Sequence, residues 1–137
     1  MKDRLLLSIL LGGLAMLVVE LRFEHREALG ETWHAWIPLA YAAATLLAGA
    51  VTLLVWSPGW RRALAVLFAA GVAVGLGGLW FHSGGHPIHN VLGVLAVWRL
   101  PPGQVGAIKI GSQPPALAPL AFCGLGTLGL LACYKAG

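Results

Sequence analysis

Apolar residues run along this chain in long blocks rather than in the alternating or two-faced patterns of soluble elements. Four blocks are long enough to cross a bilayer, which takes about 17–25 residues of helix. The first runs from Leu5 to Leu21 and holds Gly12-Gly13 and one acid, Glu20. The second, residues 36–56, is bracketed by Trp36 and Trp56, as interfacial anchors would be. The third covers 63–81 and the fourth 116–134. No block shows the period-2 alternation of a barrel strand, and an open strand would leave backbone groups unpaired in hydrocarbon, so helix is the assignment. The pattern predicts an all-α membrane protein: a helical bundle of four transmembrane helices, forming one integral membrane domain over residues 1–137.

The polar connections are unequal. Ser57-Pro58-Gly59-Trp60-Arg61-Arg62 reads as a tight turn between the second and third spans. A charged stretch from Arg22 to Ala35 links the first two. Residues 82–115 link the last two, and inside them lies an apolar run, Val91 to Leu100, too short to span, within an expected helix of about 87–100. That run is expected to form a short interfacial or re-entrant helix with Pro87 in its first turn. Lys2 and Arg4 ahead of an apolar run resemble a secretory signal, but no small-x-small cleavage site closes it at Val18-Val19-Glu20, so it is expected to be a retained first helix.

Composition agrees with the pattern. Hydrophobic residues make up 58% of the 137 positions and charged residues only 10%, against about a quarter in a soluble domain. With a mean hydropathy of +0.82, the chain lacks the polar surface a soluble enzyme, a disordered segment or a nucleic-acid-binding domain needs. The net charge of +4 is then a topology signal and calls for no nucleic-acid partner. With four spans, Lys2, Arg4, Arg61, Arg62 and Lys135 share one side, while Arg22, Arg26, Arg99 and Lys109 share the other. This small excess predicts both termini in the cytoplasm, with a bacterial inner membrane as the expected location.

The few ionisable groups are distributed unevenly. On this topology all five histidines (His25, His34, His82, His86, His89) and all four glutamates (Glu20, Glu24, Glu27, Glu31) fall on the non-cytoplasmic side. The glutamates are spaced 4, 3 and 4, and His34 follows three later. At 100° per residue these five side chains would share an arc of about 80° on one continuous helix. No Arg stands at i,i+3 or i,i+4 to any of the glutamates, so each neighbouring Glu pair costs a few tenths of a kcal/mol unless something compensates. A carboxylate at the end of a span, such as Glu20, is usually paired or functional.

His82, His86 and His89 repeat the 4, 3 spacing, although Gly84-Gly85 interrupts any shared helix. Together with Glu20, Glu24, His25 and His34 they form a candidate nitrogen/oxygen ligand set for a transition metal: Zn, Fe, Mn or Cu. The alternative is that interfacial histidines bond lipid headgroups, backbone carbonyls or partner subunits. Histidines at the rim of a bundle do not suit a bis-His haem. Cys123 and Cys133, ten residues apart on one helix, are beyond disulfide reach. The six tryptophans read as two interfacial belts, with Trp33 and Trp36 around His34 as a possible frame for a pigment or quinone ring. Gly71-x-x-x-Gly75, and Ala44, Ala48 and Gly49, allow close helix approach, internally or to another subunit.

No catalytic motif is present. Two functions remain: an accessory subunit of a larger membrane complex, packed in the lipid bilayer against other membrane subunits and presenting its Glu/His face to a partner, ion or cofactor; or a stand-alone metal-binding membrane protein or metalloenzyme. A channel or transporter is disfavoured because the cores of spans two to four hold only Thr45, Thr52 and Thr127 as polar groups.

Overall fold

The structure, a computed structural model, describes residues 2–97, 99–101 and 117–134. Its elements are α1 (Lys2–Glu24), α2 (Ala28–Glu31), a 3₁₀ turn (Trp33–Ala35), α3 (Trp36–Val55), α4 (Pro58–His82), α5 (Pro87–Val97) and α6 (Leu120–Tyr134). All the regular structure among the described residues is helical. The helix α1, the segment Trp33–Val55 ending in α3, and α4 are each long and apolar enough to cross a membrane. Their outer faces carry the residues lipid would cover, including Leu5, Ile9, Met16, Leu47, Leu54, Val66 and Leu76.

The helices α1, α3, α4 and α6 form a closed ring in which α1 packs on α3 and α6, and α4 packs on α3 and α6. Two apolar clusters fill the centre. One joins Leu7 and Leu11 of α1 to Leu64 and Phe68 of α4, and the other joins Leu14, Ala42 and Phe122. In lipid there is no hydrophobic drive between helices, so close backbone approach has to hold them together. Small residues provide it here within the chain. A Cβ on Gly49 would meet the Leu11 side chain, one on Gly71 would meet Tyr41, and one on Gly75 would lie 2.7 Å from the Pro119 carbonyl and 2.9 Å from the Cys123 nitrogen. Gly71 and Gly75 are thus used against α3 and α6, not held back for another subunit; Ala44 faces outward.

Helix ends differ from expectation in instructive ways. The α3–α4 connection is only Trp56-Ser57, because Pro58-Gly59-Trp60-Arg61-Arg62 is the first turn and a half of α4. Ser57 caps it, its hydroxyl accepting the Trp60 N–H at 3.3 Å, and Pro58 occupies a position where a missing N–H costs nothing. Trp56 takes the left-handed conformation (φ 46°) and closes α3 by donating its N–H to Thr52. The buried Thr45 and Thr52 donate their hydroxyls to the carbonyls of Tyr41 and Ala48, so neither threonine is left open to hydrocarbon.

The short helix α5 begins at Pro87 as expected and is described to Val97. Trp98, Lys109, the Pro/Gly-rich stretch up to Ala116, and Lys135 lie outside the described residues. The fourth apolar block appears as a turn at 117–119 and the 15 residues of α6. Cys123 and Cys133 are both free; Cys123 Sγ stands 3.5 Å from the Val72 carbonyl of α4.

Candidate functional site

The ring does not close equally at its two ends. Where α1 and α4 finish and α3 and α6 begin, a cavity of about 570 Å³ opens among all four helices. This volume is within the about 300–1,000 Å³ range of small-molecule sites. Its lining runs along α4 from Ala73 to His82, about 13 Å of helix, so it reaches well into the bundle.

The inner wall is apolar: Leu17 and Leu21 of α1, Val74, Gly77 and Phe81 of α4, and Pro119 and Phe122 at the start of α6. Gly77 is what leaves the room, since a Cβ there would meet nothing within 4 Å. Its neighbour Gly78 behaves oppositely, and a Cβ there would lie 2.8 Å from Pro119. These glycines look alike in the sequence, so the cavity wall was not foreseen.

The rim carries the ionisable groups: Glu20 and Glu24 from the last turns of α1, His25 from the turn after it, Glu31, His34, and His82 at the end of α4. The helix expected to carry the Glu stripe does not run on. It ends at Glu24, turns through residues 25–27 with a tightened Gly30 N–H to Glu27 carbonyl bond, and resumes as the single turn α2. Trp36 then fastens the return, its indole N–H donating to the Leu29 carbonyl at 3.0 Å. Glu20, Glu24, Glu31 and His34 therefore still meet on one surface, by way of a folded loop, while Glu27 does not line the cavity.

The histidines divide. His25 and His82 face each other with ring centroids 5.8 Å apart, and His34 lies flat on Phe81 at 5.1 Å and 10°. Nδ1 of His25 is buried with no hydrogen-bond partner among the described residues. His86 and His89 are exposed and do not line the cavity. Gly84 (φ 59°) and Gly85 (φ 86°) turn the chain through left-handed conformations and start α5 on a new axis, so the helical register from His82 is lost. Trp33 packs edge-on to His34 and Trp36 is held by Leu29, so the two indoles do not frame a slot around His34.

Two features of the electrostatics stand out. Among the described residues none of the four glutamates forms an ion pair, and the cavity lining holds three carboxylates but neither Lys nor Arg. Also among the described residues, no three His, Cys, Asp or Glu side chains converge as a metal-ligand set. Of the candidate ligands, Glu20, Glu24, His25, His34 and His82 share the cavity, and coordination would require several of them to swing inward.

Comparison with known proteins adds no assignment: the chain matches no protein-family model, no curated protein and no solved structure.

Proposed function

We propose that this chain is a four-span membrane protein of a bacterial inner membrane that serves as a ligand-holding accessory subunit of a larger membrane complex, with the Glu/His cavity as its binding site on the non-cytoplasmic face. The observation that carries this reading is the meeting of all four helices around an apolar cavity rimmed by uncompensated carboxylates. Exposed glutamates a turn apart repel one another, and they are retained at one end of a charge-poor chain where a ligand or partner would relieve them.

The fourth span rests on how α6 lies. Gly78 and Gly75 of α4 meet Pro119 and Cys123, Phe68 meets Gly126 and Gly129, and Cys133 and Tyr134 border a small pocket with Pro58, Arg61 and Arg62. The helix α6 therefore runs antiparallel to α4 between the levels of Gly78 and Arg61; its 15 residues cover about 22 Å, and the turn at 117–119 adds to that reach toward the about 30 Å of hydrocarbon. In a background lacking both cysteines, Tyr134→Cys is expected to react with a membrane-impermeant maleimide from the same side as Ser57→Cys. His86→Cys should react from the opposite side. Labelling of Tyr134→Cys together with His86→Cys would show that α6 does not cross.

The subunit assignment is tested by purification from native membranes in mild detergent. Stoichiometric co-purification of other membrane proteins is expected, and a stable, monodisperse species made of this chain alone would refute it. A second reading, a stand-alone metal-binding protein, draws support from the His25–His82 pair. It predicts close to one equivalent of transition metal by elemental analysis, lost in the double variant His25→Ala/His82→Ala.

A further inference from the structure

From the cavity's chemistry we infer that its ligand is an amphipathic organic cation: a molecule with an apolar ring or chain body and one permanently or readily positive centre. This rests on the reading of the cavity as a binding site and narrows what it takes.

Three observations converge. The deep wall, from Leu17 and Val74 to Phe122, offers only hydrocarbon and aromatic surface, which suits an apolar body and gives a hydrated ion nothing in exchange for its water. The rim offers Glu20, Glu24 and Glu31 beside the imidazoles of His25, His34 and His82, with no Lys or Arg among the lining residues, so a ligand of positive charge is complementary to the three carboxylates. Finally, an organic cation needs no inner-sphere ligands at fixed geometry. That matches a rim on which, among the described residues, three metal-competent side chains do not converge. The lining fits such a molecule: its body would lie against Leu17, Val74 and Phe122 beside Gly77, where no side chain intrudes, and its charged centre would face Glu20 and Glu24. Phe81 closes one side, but His34 covers a face of its ring, so carboxylates rather than an aromatic face supply the attraction.

The test uses the full chain in lipid nanodiscs with radiolabelled tetraphenylphosphonium as probe, nanodiscs without protein as blank, and neutral triphenylphosphine oxide as the uncharged comparison. Saturable binding near one equivalent per chain is expected, about tenfold tighter for the phosphonium than for the oxide. The three exposed carboxylates together should give about tenfold, which is about 1.4 kcal/mol. The triple variant Glu20→Gln/Glu24→Gln/Glu31→Gln should bind the phosphonium about tenfold more weakly and leave the oxide unchanged. Gly77→Leu should lose both probes, and Arg62→Gln, at the other end of the bundle, should lose neither. Equal binding of both probes, insensitive to the glutamine substitutions, would overturn the cation inference while leaving a binding cavity. Failure of both probes to bind a chain that carries stoichiometric metal would overturn it in favour of the metal reading. Failure of both with no metal present would overturn the inference and the binding site together.

Discussion

Gly75→Leu is expected to disrupt the bundle, while Gly77→Leu, two residues along the same helix, leaves it folded. The two substitutions make the same change in side-chain volume and in intrinsic helix preference, which favours leucine by up to about 1 kcal/mol at each position. They differ only in what the new atoms meet. At Gly75 the Cβ alone would sit 2.7 Å from the Pro119 carbonyl, 2.9 Å from the Cys123 nitrogen and 2.6 Å from its sulfur. Two of those neighbours are backbone, so no rotamer change relieves the contact and α6 has to move away from α4. Overpacking of this kind costs about 1–3 kcal/mol, and the upper end applies where backbone is the obstacle. At Gly77 nothing stands within 4 Å, and the leucine is accommodated by the cavity. The thermal midpoint of detergent-solubilised protein, followed by far-ultraviolet circular dichroism and size exclusion, should fall sharply for the first variant and hold or rise slightly for the second. Equal loss in both would mean that α4 and α6 are not packed as described. Because Pro119 is also part of the cavity wall, the first variant should disturb the site from behind, and the second should occupy it without unfolding anything.

That contrast marks how far the sequence is legible. Long apolar runs announce membrane helices because 20 or so residues without charge have few other stable fates. Three of the four expected spans are long enough to cross on their own; the fourth appears as the 15-residue α6, shorter than its apolar block. The start of α4 was also readable from Ser57-Pro58, a cap followed by a residue that fits the first turn, yet the Gly-Trp-Arg-Arg run suggested a loop. The Glu20–Glu31 stripe kept its common side although the helix beneath it broke, since a loop stapled by Trp36 carries Glu31 and His34 back over the same end. His86 and His89 were misleading, because two consecutive left-handed glycines erase the register on which 4, 3 spacing depends. The cavity itself could not be read. Gly71, Gly75, Gly77 and Gly78 are the same residue in one helix. Whether a missing Cβ admits a neighbour or leaves a void is decided by helices far away in sequence.

Phe68→Ala is expected to be the most damaging truncation in the apolar centre, and Gly129→Leu should damage the same spot from the other side. Phe68 is 1% exposed and packs in one cluster with Leu7, Leu11 and Leu64, so its ring joins α4 to α1 and, through its contact with Gly129, to α6. That contact is tight: a Cβ on Gly129 would strike the Phe68 ring, and one on Gly126 would lie 2.6 Å from the Phe68 carbonyl. In water-soluble cores, Phe→Ala costs about 3–5 kcal/mol, part of it for transferring the lost atoms out of water and part for the cavity left behind. In a bilayer the separated helices bathe Phe68 in hydrocarbon as well, so the transfer part largely cancels and the packing part remains. Leaving roughly 100 Å³ unfilled at about 24 cal/mol per Å³ gives about 2 kcal/mol. Gly129→Leu should cost a comparable amount by overpacking. Because the two changes act on one volume, they should not add: in Phe68→Ala/Gly129→Leu the new leucine enters the space the ring vacated. The double variant is expected to be less destabilised than the sum by at least about 1 kcal/mol, within the usual range for residues in contact. Reversible unfolding in a detergent–dodecyl sulfate mixture measures all four corners of that cycle. Strict additivity would place Phe68 and Gly129 apart and remove the argument that α6 completes the ring along the length of α4. A positive coupling would tie the fourth helix to the core that holds the opposite, cavity-bearing end of the bundle in shape.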